Sequence, residues 1–268
     1  MPSALPTTVC SNLSSRPAVT ENAERIAKRM ARAGLCSRRE AESWITQGRV
    51  SVNGAKIASP ALNVTESDAI IVDGKPLKAA EPARLWRYHK PPGLVTTHKD
   101  PEGRATVFDH LPPGLPRLIS VGRLDLTSEG LLLLTNDGEL ARKLELPSTG
   151  WTRRYRVRVH GVPSVEALKS LEKGVTVDGI AYGPISAAVE RTQGANSWLT
   201  LALREGKNRE IRRVMAHLGM ETSRLIRIAY GPFQLGQLER GEVEEVSGKV
   251  LKEQVGALKE DKRAHHRR

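Results

Sequence analysis

The spacing of apolar positions changes several times along the chain. Ile26, Met30 and Ala33 recur at helical spacing, with Arg25, Lys28, Arg29 and Arg32 on the flank and far side, and Gly34 closes the segment. Ser37-Arg38-Arg39-Glu40 has the pattern of a capping box. It predicts a second helix with Ala41, Trp44 and Ile45 inward, stopping at Gly48. Alternation then takes over. Arg49-Val50-Ser51-Val52 runs into Asn53-Gly54, and Ala69-Ile70-Ile71-Val72 into Asp73-Gly74, which predicts strands with tight turns. Further on, Leu85 to Lys90 reads as a strand stopped by Pro91-Pro92, and Val107 to Leu111 as a short helix. The unbroken run Leu131-Leu132-Leu133-Leu134 predicts a central strand covered on both faces. Asn136-Asp137-Gly138 ends that strand and caps a helix from Glu139 to Leu144. From Trp151 to Val159 strict alternation puts Tyr155, Val157 and Val159 on one face and Arg154, Arg156 and Arg158 on the other. Ile211, Val214, Met215 and Leu218 form the inner stripe of a late helix.

Composition narrows the partner. Lys plus Arg outnumber Asp plus Glu by 42 to 30 in 268 residues, a net charge of +12 that favours a polyanion, nucleic acid before membrane. No apolar run approaches a membrane span and no leader pattern precedes the first helix, so the expected location is the cytoplasm. Cys10 and Cys36 lack the paired spacing of a zinc site or a disulfide framework, and a chain free of metal and cofactor is expected. With four Trp, four Tyr and two Phe, an aromatic RNA-stacking sheet is not the expectation. Residues 1–22, rich in Ser, Thr, Pro, Ala and Asn, read as a disordered arm. Residues 23–78 read as a compact basic unit, 79–83 as a linker, 84–245 as a mixed α and β unit, and 246–268 as a charged tail or frayed helix.

Asp125 is the first candidate for chemistry. It sits in a turn between Gly122 and Gly130, against the apolar run, where a carboxylate is partly desolvated and rigidly held. An Asp at this place commonly just closes its turn. Tyr155 is turned inward near the start of its strand, as a core residue or as a ring that packs on an extruded base. Arg212 lies on the shoulder of the late helix, where a guanidinium reaches either solvent or a half-buried carboxylate such as Asp125. Arg154, Arg156, Arg123, Lys207 and Arg209 suit contacts to phosphate. His89 and Lys90 read equally as phosphate contacts and as a solvent-facing strand end. His89 and His110 lack metal-ligand spacing.

Two resemblances follow from these motifs. Arg25 through Arg32, Ser37-Arg38-Arg39-Glu40-Ala41 and Gly48-Arg49-Val50-Ser51-Val52-Asn53-Gly54 resemble an S4 RNA-binding domain. That likeness implies RNA contacts from Arg25, Lys28, Arg29, Arg32, Arg38 and Arg39. Gly122-Arg123-Leu124-Asp125, Thr135-Asn136-Asp137-Gly138, Arg154-Tyr155, Glu205-Gly206-Lys207-Asn208-Arg209-Glu210-Ile211-Arg212-Arg213 and Ser223-Arg224-Leu225-Ile226-Arg227-Ile228 resemble the S4-containing ribosomal RNA pseudouridine synthases, nearest the large-subunit branch. Ser128 stands where Thr is commoner, and the N-terminal arm is longer than the family explains. The resemblance implies an α+β fold: a small S4 domain, then a catalytic domain on a mixed, mainly antiparallel sheet. It implies isomerisation of a uridine in ribosomal RNA, with 23S rRNA or a precursor particle as partner. It also implies Asp125 as the essential carboxylate, Tyr155 against the base and Arg212 as partner of Asp125, without metal or cofactor. A monomer is the default expectation. The competing readings are a non-catalytic S4-type RNA-binding or ribosome-assembly protein, and a metal-dependent nuclease, for which no acidic cluster is evident.

Overall fold

The computed structural model describes residues 23–265, with side-chain surroundings through residue 256. The expected arm over 1–22 and the last residues of the expected tail lie outside the described residues. The described chain forms two compact units that divide between Ala80 and Glu81.

In the first unit the helices Ile26–Arg32 and Arg38–Thr46 stand where the apolar spacing places them. The capping box is complete: the Glu40 N–H donates to Ser37 Oγ at 3.1 Å, and the Ser37 N–H donates to Glu40 Oε2 at 2.7 Å. The strands Val50–Val52 and Ile70–Val72 pair antiparallel at the centre of a small sheet, flanked by Ala55–Lys56 and Lys75–Pro76. Both tight turns need left-handed backbone at two successive residues, Asn53-Gly54 (φ 50° and 83°) and Asp73-Gly74 (φ 49° and 74°). Asn or Asp followed by Gly meets that demand at little steric cost. Ile26, Met30, Cys36, Ala41, Ile45, Val50 and Val64 close the core between helices and sheet.

The second unit is built on one sheet, ordered Ile185–Gln193, Asn196–Leu203, Arg153–His160, Glu221–Tyr230, Glu129–Thr135, Leu85–Lys90, Val243–Glu245. Ile119–Val121 and Phe233–Gln234 join it at the side. Pairing is antiparallel except where Glu221–Tyr230 meets Glu129–Thr135, with Ile226 opposite Glu129 and Arg227 opposite Gly130. The Leu run is the centre of this sheet, and every residue of Glu129–Thr135 is buried. Leu132 and Leu134 point into one core with Tyr88, Tyr155 and Val157, while Leu131 and Leu133 point into a second with Leu140, Leu144 and Phe233. A strand covered on both faces needs no polar alternation, which is why its sequence shows none.

The expected boundary at residue 245 falls short of the packed unit. Val246 and Leu251 are buried in the second core, and the Val246 N–H donates to Leu85 O at 2.8 Å. The helix Gly248–His265 therefore begins as a packed element. Its apolar positions are spaced widely among Lys and Glu, so local composition hides a face that tertiary contact reveals.

Candidate active site

Asp125 lies in the loop that leads into the central strand, and that loop is fixed by its main chain. Five successive carbonyl oxygens each find a donor. Leu124 O accepts from Thr96 Oγ1 at 2.9 Å, Asp125 O from Lys90 Nζ at 3.2 Å, and Leu126 O from the Gly93 N–H at 2.7 Å. Thr127 O accepts from Arg212 Nη2 at 3.2 Å and Ser128 O from Lys90 Nζ at 2.9 Å. The Asp125 carboxylate takes no part: among the described residues it has no side-chain hydrogen bond and no ion pair within 4.0 Å. A half-buried acid on an immobile backbone, with its oxygens uncommitted, is organised before any substrate arrives.

Lys90 is central to this arrangement and corrects a sequence expectation. It does not face solvent, being fully buried at the end of Leu85–Lys90. Trp86, Tyr88 and Lys90 are in phase on that strand, so its alternation held the signal. Burial pulls the Lys90 ammonium down to about 8, although the charges of Asp125 and Glu129 oppose the shift.

The loop borders a cavity of about 400 Å³, a size ordinary for small-ligand sites. Tyr155, Leu203, Ile211 and Leu225 supply apolar wall. Arg123, Lys207 and Arg209 stand exposed around it. Arg209 has left-handed backbone (φ 50°) at the start of the helix Glu210–His217, which turns Gly206–Arg209 across the opening. Glu210 braces that turn by accepting the Lys207 N–H at 2.9 Å, and burial pushes its carboxyl up. Lys207 itself pairs with Glu205 at 2.8 Å.

Arg212 meets the Asp125 loop through the backbone. Its guanidinium donates to Thr127 O and, at 3.0 Å, to Thr222 O, and forms no ion pair with Asp125 within 4.0 Å. Burial lowers its pKa, the neighbouring Arg209 adds to that, and the Asp125 charge acts the other way. Arg154 and Arg156 lie elsewhere: their strand turns Tyr155 to the cavity and the Arg row to the opposite sheet face. There Arg156 is held by Glu190 at 2.8 Å and lies over the Trp198 ring. In the first unit Arg25, Arg38 and Arg39 are exposed, while Lys28, Arg29 and Arg32 gather around Glu24 at 3.4, 3.7 and 3.3 Å.

Two further features escaped sequence reasoning. Glu129 is buried where its strand begins, and although burial pushes its carboxyl up, Arg224 and Arg240 more than offset this and hold it low. Arg227 is buried beside the cavity, directly opposite Tyr155 in the antiparallel pair. Its place two residues after Leu225 put it in the inward row. Among the described residues no group of His, Cys, Asp and Glu is placed to hold a metal ion, and no helix is long and apolar enough to cross a membrane.

Residues 84–217 match the family model for RNA pseudouridylate synthase, and residues 24–70 match that of the S4 domain. An uncharacterised RNA pseudouridine synthase of Rickettsia prowazekii is 49% identical over 231 residues, covering 86% of this chain and 97% of the relative. Ribosomal large subunit pseudouridine synthase B of Pseudomonas aeruginosa is 42% identical over 243 residues, covering 87% of this chain and 63% of the relative. A crystal structure of a pseudouridylate synthase superposes with a TM-score of 0.60 at 25% identity, covering 86% of this chain and 99% of that one. The chain belongs to the RNA pseudouridine synthase family, as an isomerase acting on RNA. The α+β expectation, with an S4 domain ahead of the synthase domain, is borne out.

Proposed function

We propose that this enzyme converts a uridine of large-subunit ribosomal RNA to pseudouridine, with Asp125 as its essential carboxylate. The observation that carries the reading is the Asp125 loop: five tethered carbonyls beneath a carboxylate that no protein group occupies. Detaching uracil from C1′, turning it and rejoining it through C5 requires an extruded nucleotide in a pocket that excludes water. The apolar wall suits that base, with the Tyr155 ring packed against it. Arg123, Lys207 and Arg209 are placed for the phosphates on either side. Arg212 fixes the loop through Thr127 and brings positive charge near Asp125. Large-subunit rRNA as substrate rests on the likeness to the Pseudomonas enzyme and carries a cytoplasmic location with it. A monomer is sufficient, since the site is assembled within one chain.

The test is tritium release from [5-³H]uridine in an unmodified 23S rRNA transcript and in precursor particles, with EDTA present. Release by the wild type and none by Asp125→Ala is expected, with modification mapped to one uridine. Equal release by both proteins would remove Asp125 from the chemistry, and release only from small-subunit RNA would move the substrate.

A further inference from the structure

Arg227 is 3% exposed, and its Nη2 has no hydrogen-bond partner in the fold. Among the described residues no carboxylate lies within 4.0 Å of its guanidinium. The side chain is nonetheless anchored. Its Nε donates to Leu131 O at 2.7 Å, and its guanidinium lies 5.1 Å from the centroid of the Tyr230 ring. A buried cation with an unused N–H is costly and is rarely kept for stability. Here it lines the same cavity as Asp125, across the strand pair from Tyr155.

We infer that Arg227 is a further catalytic residue, which donates to a carbonyl oxygen of the extruded uracil and stabilises the charge that gathers there as the base detaches. This rests on the reading of the cavity as the uridine site. Depth selects the base over the phosphate. The cations Arg123, Lys207 and Arg209 are exposed at the cavity, as backbone contacts would be, whereas Arg227 is buried beside it. The chemistry calls for such a donor. When the C1′–N1 bond breaks, its electron pair passes into the uracil ring and the charge spreads to O2 and O4. When C5 then bonds C1′, the C5 proton leaves to solvent and N1 takes one up, so atoms and charge balance. A fixed guanidinium bonded to one of those oxygens would bind the detached base more strongly than the intact nucleotide, which is the condition for accelerating the step. Its anchorage on Leu131 O, within the central strand, means the donor does not reorganise during the reaction.

The experiment is single-turnover kinetics on a stem-loop RNA carrying the mapped target uridine, or 2-thiouridine or 4-thiouridine in its place, since sulfur accepts hydrogen bonds weakly. Wild type, Arg227→Gln and Arg227→Lys are compared, with Asp125→Ala as control and RNA affinity measured in parallel. Arg227→Gln is expected to slow turnover about 100-fold with unchanged Kd. One thio substitution should slow the wild type yet cost the Gln variant nothing more. Arg227→Lys, which keeps the charge, should recover part of the rate and guards against a folding defect in the Gln variant. An equal thio penalty in wild type and variant, or none in the wild type, would overturn the inference. A defect wholly in Kd would place a phosphate there instead and overturn it too. Turnover by Asp125→Ala would sink the reading of the cavity itself, an outcome scored separately in the same assay.

Discussion

Lys90 holds the main chain of Asp125 and leaves its carboxylate alone. The ammonium is 3.2 Å from Asp125 O and 2.9 Å from Ser128 O, so one buried cation ties the acid's own carbonyl to the one three residues on. It also donates to Pro91 O at 3.0 Å, which ties the end of its own strand to the same point. Charge-assisted bonds to carbonyls are stronger than neutral ones, and here they offset part of the cost of burying the ammonium. On the role proposed for Asp125, Lys90→Met is expected to lower kcat about 100-fold, because small misplacements of a reacting group cost that much. RNA affinity should not change. A Met variant with wild-type kcat would show that the loop holds itself.

The same residue sets a pH dependence. Below about 8 Lys90 is a cation; above it the amine keeps fewer donors for its carbonyls. Turnover by the wild type should therefore decline as pH rises through about 8, and Lys90→Arg, which stays charged, should lack that decline. Stability should move the opposite way. Between about 8 and the ordinary lysine value of 10.5 the unfolded chain binds a proton the folded chain has released, so this group's contribution rises with pH in that window. Opposite slopes of activity and of urea-unfolding stability are the signature to measure. A pH profile shared by wild type and the Arg variant would assign the decline to another group.

Gly130 opens the space in which the loop meets Arg227. Its φ is 102°, and a Cβ there would collide with the Arg227 carbonyl oxygen. Both the backbone strain and the collision fall on the parallel pair that joins the Asp125 loop to Arg227. Gly130→Ala should destabilise the fold by about 3 kcal/mol or more in denaturant unfolding, with loss of activity. A variant as stable as the wild type would mean that the two strands separate freely.

Arg212 touches the loop at Thr127 and the neighbouring strand at Thr222. Arg212→Ala leaves both oxygens without this donor and removes positive charge from near Asp125. We expect severe loss of turnover, comparable with Asp125→Ala, read by tritium release at saturating RNA. Near-normal turnover would discard Arg212 as a partner of the acid.

Arg38 and Arg39 are exposed in the first turn of the second S4 helix. If each neutralises one RNA phosphate, the double Ala variant should flatten the slope of log K against log salt by about 1.5. Site choice should be unaffected, because phosphate contacts carry no sequence information. An unchanged slope would move the RNA path off this helix.

How much of this was legible in the sequence differs by element. The capping box at Ser37, the Asn53-Gly54 and Asp73-Gly74 turns and the buried Leu run are local patterns, and the fold reproduces them because nothing distant competes. The packing of the helix after Gly248 is not legible locally, because Val246 and Leu251 gain their partners only when the chain returns to Leu85. Lys90 illustrates the harder case. Its strand phase pointed inward, yet composition reads a lysine as solvent-facing, and only the carbonyls brought from the Asp125 loop make its burial tolerable. Arg154 and Arg156 illustrate the converse: alternation put them opposite Tyr155, but which face bears the cavity was undecided until the late helix packed on one side.

Periodicity, turn chemistry and contiguous motifs are local properties of a chain, and they were enough for the elements, the basic character and the likeness to an enzyme family. Tertiary structure decided which groups meet. Lys90, Asp125, Arg212 and Arg227 come from separate segments and converge through sheet order and the parallel pairing of Gly130 with Arg227. Buried charge is the physical reason: its cost is set by the partners a folded neighbour supplies, and no spacing along the chain records them.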